Sequence, residues 1–238
     1  MIILVAAAVL PAAVLLYKVY TLDTIEKEPW PLLRKLLLWG AISCIPAAVV
    51  ELLLTVLLST IAERGTLVYS FLMGFVVAAL SEECFKFIFL YKIAFRSPEF
   101  NYRFDGVVYA VFVSLGFAVL ENILYVIQGG FSVAVTRALL SLPLHATCGI
   151  YMGIAFGQQK VLSVYRPASF GRLAAACIPL PLLIHGFYDF CAFSSDTYPA
   201  FLYIFIAFVI AVFIFTWVRL KRASQEDSPV EEVTVDAQ

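Results

Sequence analysis

Seven stretches of this sequence are each long and apolar enough to cross a lipid bilayer, and nothing else in it limits the fold as strongly. They run near Ile2–Tyr20, Leu36–Thr60, Leu67–Ile93, Val107–Ile127, Phe131–Phe156, Leu173–Phe193 and Tyr198–Val218. A hydrocarbon core about 30 Å thick takes about 20 residues of helix. Inside it every backbone N–H and C=O needs a partner, which leaves only helices and closed barrels. No strand-like alternation runs over comparable lengths. The expected fold class is therefore all-α: a polytopic membrane protein, a bundle of about seven transmembrane helices. Composition agrees, with 63% hydrophobic and 14% charged residues against about 25% charged in an ordinary soluble domain. Mean hydropathy is +0.95. A soluble enzyme and a disordered chain are both disfavoured. The net charge of −1 offers no basic field to attract nucleic acid.

Basic residues set the expected orientation, because cytoplasmic connections collect Lys and Arg. Lys18, Lys27, Arg34 and Lys35 flank the first connection, and Lys92, Arg96 and Arg103 the third. Lys160, Arg166 and Arg172 flank the fifth, and Arg219, Lys221 and Arg222 follow the last span. The second connection has only Arg64, and the fourth, around Gly129-Gly130, has none. Arg137 falls one or two turns into the fifth span. This alternation places the N-terminus outside and the C-terminus in the cytoplasm. The first stretch has no Lys or Arg before it and is long for a signal peptide, so a retained helix is expected. Residues 1–222 then form a single transmembrane domain, and 223–238 an acidic, disordered cytoplasmic tail. Cys44, Cys84, Cys148, Cys177 and Cys191 all lie in apolar stretches without C-x-x-C spacing, as free buried thiols would.

Against this background a few polar residues stand out, since ionisable groups within a bilayer are costly and face the bundle interior or water. They are Glu51, the group Glu82-Glu83-Lys86, Glu121 with Asn122, His145, His185 and Asp189. Glu82 and Glu83 precede Lys86 by four and three residues, so either carboxylate can meet the ammonium on a helix. Two adjacent carboxyls in a low dielectric do not both ionise cheaply, and this separates an acid from a base. His185 and Asp189 are likewise four apart, and a carboxylate there fixes the imidazole tautomer. At 1.5 Å rise per residue, Glu82 lies roughly 22 Å below the outer end of its span and Glu121 roughly 21 Å above the inner end of its own. His145 and His185 fall in the same mid-membrane band, so four spans bring chemistry-bearing groups to one level. Asp105, in Phe-Asp-Gly, reads as a helix-start residue.

Two hydrolytic chemistries fit these residues. In one, His145, His185 and a carboxylate such as Glu121 bind Zn²⁺, which generates hydroxide near neutral pH. In the other no metal takes part: a Glu activates water while His and Asn122 hydrogen-bond the developing oxyanion. A proton-coupled transporter or channel is the alternative, since the same residue types build proton relays.

The chain resembles the PrsW family, bacterial multi-span membrane proteases that make the first cut in membrane-anchored anti-sigma factors. The resemblance is carried by Asp23-Thr-Ile-Glu-Lys-Glu-Pro29, Glu82-Glu83-Cys-Phe-Lys86 and Phe104-Asp105-Gly106-Val-Val-Tyr109. It continues through Gly116-Phe117-Ala118, Glu121-Asn122 and His145 to His185-Gly-Phe-Tyr-Asp189. It implies a protease of the bacterial cytoplasmic membrane acting on a single-span, anti-sigma-like substrate in a stress response. Glu82, Glu83 and His185 would form the catalytic set, with His145 and Glu121 as further members and Lys86, Asn122 and Asp189 in support. The chain is also distantly similar to the CAAX prenyl-protease superfamily, for which a glutamate mechanism without metal is favoured. It departs from that pattern at Ser141, which stands where a Phe precedes the middle histidine by four.

Overall fold

The computed structural model describes residues 2–230, which are helical with no strand among them beyond one isolated bridge. In order come α1 (Ile2–Leu22), α2 (Trp30–Ile61), α3 (Leu67–Phe71), a π-helical segment (Leu72–Ala79), α4 (Leu80–Ala94), α5 (Asp105–Leu139), α6 (Ser141–Tyr165), α7 (Phe170–Cys177), α8 (Pro179–Ser195) and α9 (Ala200–Gln225). By length and composition, four of the described helical stretches suffice to cross a membrane: Val5–Leu22, Trp30–Ile61, Asp105–Tyr165 and Ala200–Gln225. They become five if α7 and α8, bent by 43°, form one broken span. Two features separate this number from the seven stretches of the sequence. The run from α3 to α4 is unbroken but divided by its π segment into pieces each shorter than a crossing. The stretch Asp105–Tyr165 counts once yet doubles back on itself.

That reversal follows from glycine. Gly130 takes φ 73° and ψ −159°, backbone that an L side chain rarely adopts. Beyond it α5 and α6 run antiparallel: Gly153 abuts Gly106 and Val107, and Gly149 abuts Val111 and Ser114. A Cβ at Gly153 would stand 2.4 Å from Val107 Cα, so only glycine allows the two helices to approach this closely.

α5 is the centre of the bundle. Every residue from Asp105 to Ala118 is buried, as an apolar stripe is when other helices cover all its faces. α2 crosses it where Gly40 lies under the Val113 carbonyl and Gly116 under that of Leu37. Outward faces carry Leu52, Leu53, Val56, Ile206, Ile210 and Phe215, all exposed, as lipid-facing surface must be.

At the end that carries the start of α5, three connections meet. Asp105, the first residue of α5, accepts from the backbone N–H groups of Asn101 (3.1 Å) and Tyr102 (2.7 Å) in the preceding connection and does not cap the helix itself. Tyr109 donates to the Glu28 carboxylate and to the Glu99 carbonyl. The polar tail expected from residue 223 begins differently. Residues 223–225 complete α9, and the next five dock on the α4–α5 connection. Asp227 Oδ1 accepts from Phe104 N (2.7 Å), Arg103 N donates to the Ser228 carbonyl (3.0 Å), and Val230 N donates to that of Asn101 (2.8 Å). Residues 231–238 lie outside the described residues.

Candidate active site

Four helices deliver the intramembrane polar groups to one place. α4 supplies Glu82, Glu83 and Lys86, α5 Glu121, α6 His145 and α8 His185 with Asp189. Lys86 is at the centre. Its Nζ donates to Glu82 Oε2 at 2.9 Å and Glu83 Oε1 at 2.8 Å, and lies 3.0 Å from His145 Nδ1. The same ammonium stands 4.3 Å above the Phe117 ring, a cation–π contact that gains in a desolvated interior. Glu83 Oε1 also meets His185 Nδ1 at 2.9 Å. The two imidazoles are edge to face, their centroids 5.4 Å apart. Glu82, Glu83, Lys86, His145 and His185 are all at most 5% exposed.

Local structure explains the alignment. The π segment carries a wider turn with i→i+5 bonding, a feature frequent next to functional sites. It packs Gly74 against the backbone of α8 at Gly186 and Phe190, while Gly186 in turn accommodates the Phe75 ring. α8 is thereby drawn in close enough for His185 to reach Glu83. On α6, Ser114 Oγ from α5 donates to the His145 carbonyl at 2.9 Å.

Each histidine is held from its far side by a carboxylate. His145 Nε2 is 3.0 Å from Glu121 Oε2, and His185 Nε2 is 3.4 Å from Asp189 Oδ2. The i,i+4 reading of His185 and Asp189 and the pairing of both glutamates with Lys86 thus match the geometry. Two expectations meet a different arrangement. Glu121, expected among metal ligands, sits on the far nitrogen of His145, apart from the compact group. Asn122 is buried and its Oδ1 accepts from Arg137 Nε at 2.5 Å; it does not line the cavity beside the cluster. Glu51 does line that cavity, together with Glu82, Phe117, Glu121, Tyr125 and Gln128, in a space of about 280 Å³.

Arg137 is the residue that sequence reasoning passed over. Its Nη2 is 2.6 Å from Glu121 Oε2, and its guanidinium carbon stands 4.1 Å from the Tyr125 ring centroid. A signal existed: Gly129-Gly130 lies midway between Glu121 and Arg137, so a turn there brings the two together.

The donor set suits a metal ion. Glu82, Glu83, His145 and His185 each offer one ligand atom, all within 4.8 Å of one another. Glu83 Oε2 is buried without a hydrogen-bond partner among the described residues, and a buried acceptor left so is costly. The carboxylates behind the two imidazoles are the outer partners that metal-bound histidines keep. Lys86 Nζ occupies the middle of this group, so an ion and the ammonium compete for the same oxygens.

Comparison with known proteins identifies the family. The family model described as PrsW family intramembrane metalloprotease matches residues 28–218. Protease PrsW of Oceanobacillus iheyensis is 35% identical over 94% of this chain and 98% of its own length. Protease PrsW of Geobacillus kaustophilus is 32% identical over 93% and 91%, and that of Bacillus subtilis 28% over 94% and 96%. No solved structure matches. A buried Glu-Glu-Lys-His-His cluster held at the meeting point of four apolar helices, within a chain that aligns over nearly its full length with these proteases, places this protein in the PrsW family of intramembrane metalloproteases, as a multi-pass protein of a bacterial membrane.

Proposed function

We propose that the chain hydrolyses a peptide bond of a single-span membrane protein of the anti-sigma-factor kind, making the first cut. The observation that carries the mechanism is the position of Glu82: its carboxylate touches Lys86 and also lines the cavity. It is therefore the cluster acid that reaches a water held beside a bound peptide. Glu82 accepts the water proton as the oxygen bonds to the scissile carbonyl carbon, then returns it to the amide nitrogen as the C–N bond breaks. Charge that develops on the carbonyl oxygen sits in the field of the Lys86 ammonium and the His185 ring, 2.9 and 4.0 Å from Glu82 Oε2. Glu83, wholly buried, stays paired with Lys86 and His185 and keeps both in place. A divalent ion held by Glu82, Glu83, His145 and His185, zinc by its taste for nitrogen and carboxylate donors, would supply a water of lowered pKa and a Lewis acid for the carbonyl.

The cavity runs from Glu82 and Glu121 toward Gln128, beside the Gly129-Gly130 reversal. With basic residues on the opposite side, that end faces outward, the chain crosses seven times, and the substrate enters from the outer face.

The test is Glu82→Gln in the full chain, co-expressed with a tagged single-span substrate. Cleavage should stop while the protein stays in the membrane at its normal level. Full cleavage by this variant overturns the reading. Proton flux through proteoliposomes, abolished by the same change, would instead support the transporter alternative.

A further inference from the structure

Arg137 has no part in the hydrolytic steps above, yet it is built into their surroundings. It is the one charged residue of the leg from Phe131 to Leu139. That leg lies between two interruptions of the helix, Gly130 at φ 73° and Leu140 at φ −119° and ψ −60°. A guanidinium within an apolar hairpin needs partners for its donors, and here they are specific. Nη2 meets Glu121 Oε2 at 2.6 Å, Nε meets Asn122 Oδ1 at 2.5 Å, and the Tyr125 ring covers the plane.

The Glu121 oxygen involved is the decisive detail. Oε2 is held by Arg137 and is also the atom 3.0 Å from His145 Nε2. One carboxylate oxygen therefore joins the guanidinium to the imidazole, and the other ring nitrogen of that imidazole faces Lys86. A carboxylate with only the histidine to hold it could swing into the cavity that it lines. Arg137, with Asn122 fixing the fork in a second direction, removes that freedom.

We infer that Arg137 is a positioning residue of the hydrolytic centre: it pins Glu121 Oε2 against His145 Nε2, and so fixes the imidazole orientation from a leg that lies outside the cluster. This rests on the protease reading for its kinetic part, but its structural part does not.

Both parts are tested with the full-length protein in proteoliposomes. The chain has only two histidines, so ring-nitrogen NMR of ¹⁵N-histidine-labelled protein resolves each without a substrate. Arg137→Ala should move the His145 resonances and leave those of His185 in place. Unchanged His145 signals, or equal shifts at both, overturn the inference, the second because it marks general loosening. With a tagged single-span protein that the wild type cleaves, kcat should fall roughly 10- to 100-fold, as for other outer partners of an active-site imidazole, with KM little changed. Added guanidinium should restore most of the lost rate. A loss confined to KM, or a folded variant that guanidinium does not rescue, overturns it. If Arg137→Ala fails to accumulate, Arg137→Lys carries the same readouts and should be intermediate in both. A wild type that cleaves nothing defeats the protease reading and leaves the NMR result standing.

Discussion

The Lys86 ammonium lies 3.0 Å from Nδ1 of His145. An ammonium only donates, so Nδ1 is the acceptor and the imidazole carries its proton on Nε2, facing Glu121. The lone pair of His145 thus points into the cluster at Lys86, with Glu82 Oε2 3.8 Å from the same nitrogen, and a metal ion would use it only by displacing the ammonium. One contact sets the tautomer of His145.

The donor set leads to a metal prediction. His145→Ala and His185→Ala should each lose stoichiometric bound zinc as well as activity, and a tight chelator should inhibit the wild type. Elemental analysis of detergent-purified protein checks this. An active preparation free of metal would assign catalysis to the side chains of the cluster without a metal.

Topology is tested by reporters. A fusion after Arg166 or at the C-terminus should report the cytoplasm, and one at Gly129 the outer face. Cytoplasmic labelling at Gly129 would contradict the outward opening of the cavity.

The approach of α8 to the π segment should be needed for rate. A Cβ at Gly74 would stand 2.8 Å from Phe190 N and 2.9 Å from the Gly186 carbonyl oxygen, and backbone atoms cannot swivel away. Gly74→Ala should therefore displace His185 from Glu83 and cost up to roughly 100-fold in kcat, the scale of a 1 Å misplacement. Gly171→Ala, with nothing within 4 Å of the added carbon, should leave activity unchanged and serves as the control.

Stability should fall with rising pH because of Glu28, in the first connection. Burial pushes its carboxyl up from 4.5 to about 7, against the opposing pull of the Tyr109 hydroxyl. Below pH 4.5 the group is protonated in folded and unfolded chains alike, and no penalty exists. Between 4.5 and about 7 the unfolded chain releases its proton first, so stability is lost across that window. The melting temperature in detergent should drop from pH 5 to pH 8, and Glu28→Gln should flatten the slope. Asp23, raised to about 6 by its own burial, and Asp105, which shares the Glu28 cluster, leave a residual slope. An unaltered slope in Glu28→Gln would remove Glu28 as its source.

That this is a helical membrane protein, and which side chains do not belong in lipid, can be read from the residues alone. Apolar runs of fixed length allow no other element, and every buried ionisable group needs a reason. Local spacing also determined the pairs within one helix, Glu82 and Glu83 with Lys86 and His185 with Asp189, since helical periodicity is set by the backbone alone. Tertiary structure decided what depth could only suggest: which nitrogen of each imidazole faces the cluster, that Glu121 stands behind His145 and outside the compact group of donors, and that Asn122 serves Arg137. These depend on crossing angles and on the rotation of each helix about its axis. Gly74 against Gly186, Gly153 against Gly106 and the reversal at Gly130 set them through contacts between residues far apart in the chain. The docking of Asp227 onto the start of α5 has the same origin. A short acidic segment reads as a solvated tail until a loop 123 residues away presents it with an unpaired N–H.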